Sequence, residues 1–276
     1  SAKDIVNGIG EGVANLGAAA DIPLDTAANI LMSAVQTFGL SSDEAVGVAD
    51  RLAGAANASI VEVQDLGVSL KYAGGVASSL GIPFEDVNTA LALLGTYGLK
   101  GSTAGTSLRQ ILVSLGGATN KATKELESLG IITEDGTNKF FNADGSAKSL
   151  AEIFDILGEA TAGMGDEQRL ASLKTIFQNR ALASAIALTK EGSEGFAAMA
   201  AEIEKTTAMD VASERLDNLS GDLEILKGNL ETLAIESGSR MQEMARNIVQ
   251  GLTSMVQWFS DLPDSVQDNI LKFIAF

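Results

Sequence analysis

From residue 3 to about 129 the chain repeats one small pattern: a start signal of Ser, Asp or Pro, a stripe of apolar residues spaced by three and four, and a closing glycine. Apolar positions such as Leu66, Leu70, Ala73 and Ala77 fall on one face of a helix and nowhere near one face of a strand. The pattern therefore admits short amphipathic helices packed side by side and little else. It predicts helices near 3–18, 24–38, 43–57, 60–79, 84–96, 103–115 and 120–129. Ser41 with Glu44 and Ser59 with Glu62 fit the capping box, in which hydroxyl and carboxylate satisfy amides left unpaired at a helix start. Pro23 and Pro83 stand where the missing N–H of proline costs a helix least. With 29 glycines, 3 prolines and few aromatics, the cores must be aliphatic and the helices closely approached.

The segment Ile131 to Phe141 carries the best strand signal, two short apolar ends around Asp135-Gly136, and predicts a small β-hairpin. Asn142-Ala143-Asp144-Gly145 has a faint look of a calcium loop but lacks the spaced acidic ligands and the closing Glu, so a tight turn is the better reading. Helices resume at the Ser149–Glu152 capping box and run to about 205, with breaks expected near Gly163–Gly165 and Gly192–Gly195.

Beyond about 207 the texture changes. Leu216, Leu219, Leu223, Leu226, Leu230 and Leu233 follow a 3, 4, 3, 4, 3 spacing, the seam of a coiled coil. Met241, Met244, Ile248, Leu252, Met255 and Phe259 resume the stripe after an offset that reads as a stutter. A continuous helix of ~50 residues would reach ~75–80 Å, too long for the inside of a compact domain. Gly221, Gly228, Gly238 and Gly251 are places where it can be interrupted, and Pro263 ends it. The stripe joins copies of the chain, or it packs on helices of the same chain; the narrow, sustained seam favours self-association.

The expected fold is thus all-α. A Gly/Ala-rich multi-helix region spans 1–129, a hairpin and turn insert 130–147, a helical region 148–206 and a long heptad-patterned helix 207–260. The last piece, 263–276, turns apolar from Asn269 to Phe276 and reads as the start of a helix continuing past the given sequence. The opening SAKDIVNGIG has no Met and no signal-peptide pattern, which reads as an internal piece of a longer chain.

Chemistry is narrowed as much by what is missing. The chain has no Cys and no His, which removes thiolate and imidazole nucleophiles, bases and metal ligands. A net charge of −17 opposes stable nucleic-acid binding. Two carboxylates can run glycoside hydrolysis, but the aromatic platforms that hold sugars are scarce, with 1 Trp and 2 Tyr. One stretch does look like a phosphate loop: Gly98 to Arg109, "GLKGSTAGTSLR". A P-loop needs its lysine directly after the second glycine and a strand before the loop. Here Lys100 precedes Gly101, Thr106 follows Gly105, and Val87 to Tyr97 is patterned as a helix. The stretch reads instead as a helix-to-helix turn: Gly98 ends one helix, Ser102 or Thr103 caps the next, Gly105 permits close packing, and Arg109 is solvated or paired with an acid. No cofactor and no catalytic residue are expected.

"TFGLSSDEAV" from Thr37, "SLKYAGGVASSLGIPFEDV" from Ser69, "LALLGTYGLKGSTAGTSLRQIL" from Leu91 and "LKTIFQNRALASAIAL" from Leu173 together resemble the core region of phage tail tape measure proteins, in order and spacing, over about residues 30–260. The resemblance implies a non-enzymatic virion protein that fills the lumen of the tail tube, sets tail length during assembly in the host cytoplasm, and leaves ahead of the genome to assist its passage across the envelope. It implies tail tube (major tail) subunits, tail tip or baseplate proteins and tail assembly chaperones as partners, three or six copies per tail, and contact with the host membrane through segments beyond this sequence. The competing reading is a membrane-active helical protein of a toxin or secretion system.

Overall fold

Pro23 and Pro83 each stand immediately before a helix with extended ψ, and the helices that follow, Leu24–Phe38 and Phe84–Thr96, start where proline requires them to. The structure, a computed structural model, describes residues 8–117 and 119–216 together with positions 225 and 228. In chain order the helices are α1 Gly10–Ala20, α2 Leu24–Phe38, α3 Ala45–Ala58, α4 Val63–Ser79, α5 Phe84–Thr96, α6 Gly101–Ser114, α7 Asn120–Ser128, α8 Leu150–Thr161, α9 Asp166–Ile203 and α10 Ala208–Leu216. A 3-10 turn, Ser42–Glu44, leads into α3. The chain divides into two units, Ser1–Glu214 and Arg215–Phe276, and the second lies almost wholly outside the described residues.

Local signals set most helix boundaries. The Ser41–Glu44 capping box forms, with the Ser41 amide donating to Glu44 Oε2 at 2.7 Å. So does the Ser149–Glu152 box at the head of α8, where Glu152 N donates to Ser149 Oγ at 3.2 Å. The box expected at Ser59 is displaced: Ser59 Oγ donates backward to the Ala55 carbonyl at 2.7 Å and serves the end of α3. Glu62 and Asp65 form the box instead, so α4 begins at Val63 rather than near 60. Similarly, α6 begins at Gly101, ahead of Ser102 and Thr103, and neither hydroxyl caps it.

The expected β-hairpin over 131–141 does not form. Only isolated bridges occur there, Ile132 with Asn138 and Phe141 with Ala147, and the described residues contain no strand. The amides of Ile131 and Ile132, which one arm of a hairpin would spend on its partner, both donate to the Leu126 carbonyl at the end of α7. On the other arm the chain turns again at once, because Phe141 N bonds to Asn138 O and Phe140 N to the Asn138 side chain. Burial decides the outcome: Ile131 and Phe140 are 1% and 0% exposed, and seating both in the helical core leaves too little extended backbone for a ladder. The Asn142–Gly145 stretch is a tight turn, with Asp144 Oδ1 accepting from Ser146 N at 2.9 Å and from its hydroxyl at 2.7 Å.

One core runs through the first unit, from Leu16 in α1 to Ala212 in α10. Its largest fully buried side chains are Phe84, Phe140, Phe154 and Phe177. Phe38 meets Phe84 edge-on at 5.6 Å and Phe154 stacks on Phe196 at 6.0 Å. Helices α4 and α6 share the most extensive pairing, and α9 lies against α3, α5, α6, α7 and α8. The expected coiled coil over 207–260 reaches the described residues only in α10; Leu219, Leu223, Leu226, Leu230 and Leu233 fall outside them, as do Met241 to Phe259 and the apolar 263–276 end. Among the described residues no helix is long and apolar enough to cross a membrane.

Candidate functional site

The Gly98 to Arg109 stretch joins α5 to α6. Gly98 has φ 76°, and its amide bonds to the Gly95 carbonyl at 2.8 Å while Leu99 N bonds to Leu94 O at 3.0 Å. Those two bonds are a complete Schellman motif, which takes up carbonyls that the end of α5 would otherwise leave open. Lys100 Nζ lies 3.1 Å from Asp65 Oδ2, and Ser69 Oγ donates to the Gly101 carbonyl at 2.7 Å and to the Asp65 carbonyl at 2.8 Å. Arg109 is exposed.

Asp65 and Ser69 stand one turn apart on α4, and Gly101 and Gly105 one turn apart on α6. A Cβ on Gly101 would lie 3.1 Å from Asp65 Oδ1; one on Gly105 would lie 2.5 Å from Ser69 O and 2.7 Å from Ser69 Cα. The two helices thus meet backbone to backbone, and only hydrogen fits at Gly105. On the far side of α6, Ser107 and Ser184 of α9 share a buried hydroxyl pair at 2.6 Å. Lys100, Gly101 and Gly105 are gathered along one contact with α4, Gly98 closes the end of α5 without touching α4, and Arg109 is exposed.

The amides of Gly98 and Leu99 are spent on α5, and the lysine is paired with Asp65. Among the described residues no group of three His, Cys, Asp or Glu side chains is placed to hold a metal ion.

The longest helix holds features that sequence periodicity misses. Within α9 the backbone leaves the helical region at Gln178 and at Gly192. The second break was signalled by its glycine; the first lies in a stretch with no Gly or Pro nearby. After Gly192, Asp155 of α8 restarts the helix by accepting from Ser193 N at 3.0 Å and from Ser193 Oγ at 2.8 Å, bonds that hold its carboxyl below the usual carboxylate range. Tyr97, at the end of α5, donates its hydroxyl to Glu191, and that bond, helped by partial burial, pushes the phenol up to about 12. The Lys190 ammonium sits 5.8 Å from the Tyr97 ring centre. These ties join α5, α8 and α9 into a frame behind the α4–α6 contact.

The family described as phage-related minor tail protein matches residues 1–178. The chain belongs to that family. Over 264 residues it is 28% identical to the tape measure protein of Pneumococcus phage Dp-1, an alignment that covers 95% of this chain and 22% of that relative. The chain therefore spans about a fifth of the length of the relative it matches. No solved structure matches this minor tail family member. The family match takes in the whole α4–α6 contact, and the longer alignment covers most of α9 as well. A structural role in a phage tail follows from the family.

Proposed function

We propose that this chain is the packed part of a tail tape measure protein, which occupies the lumen of the tail tube, sets tail length as tube subunits polymerise around it, and leaves ahead of the genome during infection. The observation that carries the reading is the 28% identity to a phage tape measure protein across 95% of the chain. The physical character of the chain supports it. A charge of −17 repels the DNA that must follow through the same tube, which fits a protein making no stable nucleic-acid contact. A core built largely from alanine and leucine, with helices meeting at glycines, opens at lower cost than one interlocked by large aromatics.

On this reading its partners are the tail tube subunits, the tail tip or baseplate proteins and the assembly chaperones that hold the chain in the host cytoplasm. The Leu216 to Leu233 stripe joins three or six copies in parallel. The Gly98 to Gly105 turn is a packing device with no ligand, and contact with the host membrane belongs to segments outside this sequence. The membrane-active alternative draws no support from the described helices, none of which is long and apolar enough to span a bilayer.

In-frame deletions placed in the phage gene outside the first unit test the ruler. Tails shorten by about 1.5 Å for each helical residue removed, measured by electron microscopy of purified particles. Deletions that leave tail length unchanged overturn the proposal.

A further inference from the structure

The backbone of α9 takes nearly the same conformation twice. At Gly192 φ and ψ are 55° and −166°; at Gln178 they are 61° and 173°. This region is essentially open to glycine alone, because a Cβ collides with the local backbone there. Glycine occupies it without penalty. Glutamine does not, and the Gln178 side chain is exposed, so no burial of its own offsets the strain. On either side of it Phe177 and Ala181 are both fully buried, which holds the flanking segments in the core and the strained residue between them.

We infer that α9 is a bistable element, bent at Gln178 and Gly192 while packed in the first unit and able to become one straight helix when its ties release. Three groups of ties hold the bent form. Asp155 accepts both the amide and the hydroxyl of Ser193, Tyr97 bonds to Glu191, and Ser172 donates to Glu125 of α7 at 2.5 Å on the near side of the first break. Asp166–Ile203 has no Pro and is rich in Ala, Leu, Lys and Glu, and its two glycines, Gly192 and Gly195, oppose continuous helix by only about 1 kcal/mol each relative to Ala. Straightened, its 38 residues span about 57 Å. Gln178 supplies the bias. Its strain exists only in the bent form and is relieved in the straight one, so a glutamine where glycine fits better weakens the packed state from within. The device is a property of the chain's own backbone and stands whether or not the tail-length reading holds.

The chain has no cysteine, so spin labels on Glu167→Cys and Glu202→Cys, both exposed, report the ends of α9 alone. In a straight helix these positions are about 52 Å apart. Pulsed electron–electron distance measurement on the otherwise native chain gives a predominantly shorter separation. Adding Asp155→Ala, Gln178→Ala and Gly192→Ala removes one tie and favours helix at both breaks, and at least a tenfold larger fraction of molecules then shows the long separation. Gln178→Gly tests the strain separately: it raises the melting temperature by about 2–4 °C, whereas glycine at an ordinary helical position lowers it by a similar amount. A triple variant that keeps its helical ellipticity and its short separation overturns the inference, and so does a lowered melting temperature for Gln178→Gly. If the triple variant unfolds, the sign of the Gln178→Gly shift alone decides.

Discussion

Replacing Gly105 by alanine adds one methyl group at the tightest point between α4 and α6. Its Cβ would sit 2.5 Å from Ser69 O, 2.7 Å from Ser69 Cα and 3.0 Å from Ser69 C. Comfortable contact for carbon begins near 3.5 Å, so the helices must separate by up to about 1 Å or bend locally. Every obstructing atom is backbone, which no rotamer change can move aside. Overpacking of this kind costs about 1–3 kcal/mol. Against it stands the gain of about 1 kcal/mol that alanine brings over glycine inside a helix. Separation also lengthens the 2.7 Å bond from Ser69 Oγ to the Gly101 carbonyl, which lies one turn away on the same contact. Weakening that bond adds about 0.5–1 kcal/mol, so the net loss is about 0.5–3 kcal/mol, or a melting temperature lower by roughly 1–12 °C for a unit of this size. Gly75 on α4 is the internal comparison. It is helical and exposed, and a Cβ there meets nothing within 4 Å. Gly75→Ala should therefore raise the melting temperature through propensity alone. Thermal denaturation followed by circular dichroism reads both variants. A Gly105→Ala protein that melts at or above the parent temperature refutes the backbone-to-backbone contact.

Two further outcomes can be measured. Hydrogen bonds from Ser149, with help from Lys148, hold the Glu152 carboxyl below its ordinary value of 4.5. A lowered folded-state value means stability that is complete above 4.5 and is lost as pH falls through the folded value below it. Glu152→Gln should accordingly flatten the acid limb of the stability-against-pH curve, and an unchanged limb in urea titrations run at a series of acid pH values refutes the box as its source. If the Leu216 to Leu233 stripe joins copies, light scattering finds the chain multimeric and Leu223→Asp with Leu230→Asp makes it monomeric. Equal masses for the two proteins, at the same high concentration, refute self-association through that stripe.

Residue order alone reveals what neighbours in the chain decide. Pro83 before α5, the Schellman glycine Gly98 after it and the Ser149–Glu152 box each work within about one helical turn, so their outcome is written in a few adjacent residues. The absence of His and Cys and the acidic charge closed off most chemistry in the same direct way. Competition between distant partners is settled by packing. Asp-Gly at 135–136 carries a hairpin signal, yet the carbonyl of Leu126 and the core sites of Ile131 and Phe140 claim the backbone first. Ser59 reads from its neighbours as the cap of the following helix, and its bond to the Ala55 carbonyl assigns it to the earlier one. At Gly105 the glycine was visible but not the Ser69 carbonyl that makes it necessary. Gln178 is the extreme case, because no Gly or Pro stands near it and the bend lies between two buried residues, Phe177 and Ala181. Propensities of a few tenths of a kcal/mol per residue set the local ends, and burial worth about 1.5–3 kcal/mol for each large apolar side chain overrides them wherever the two disagree.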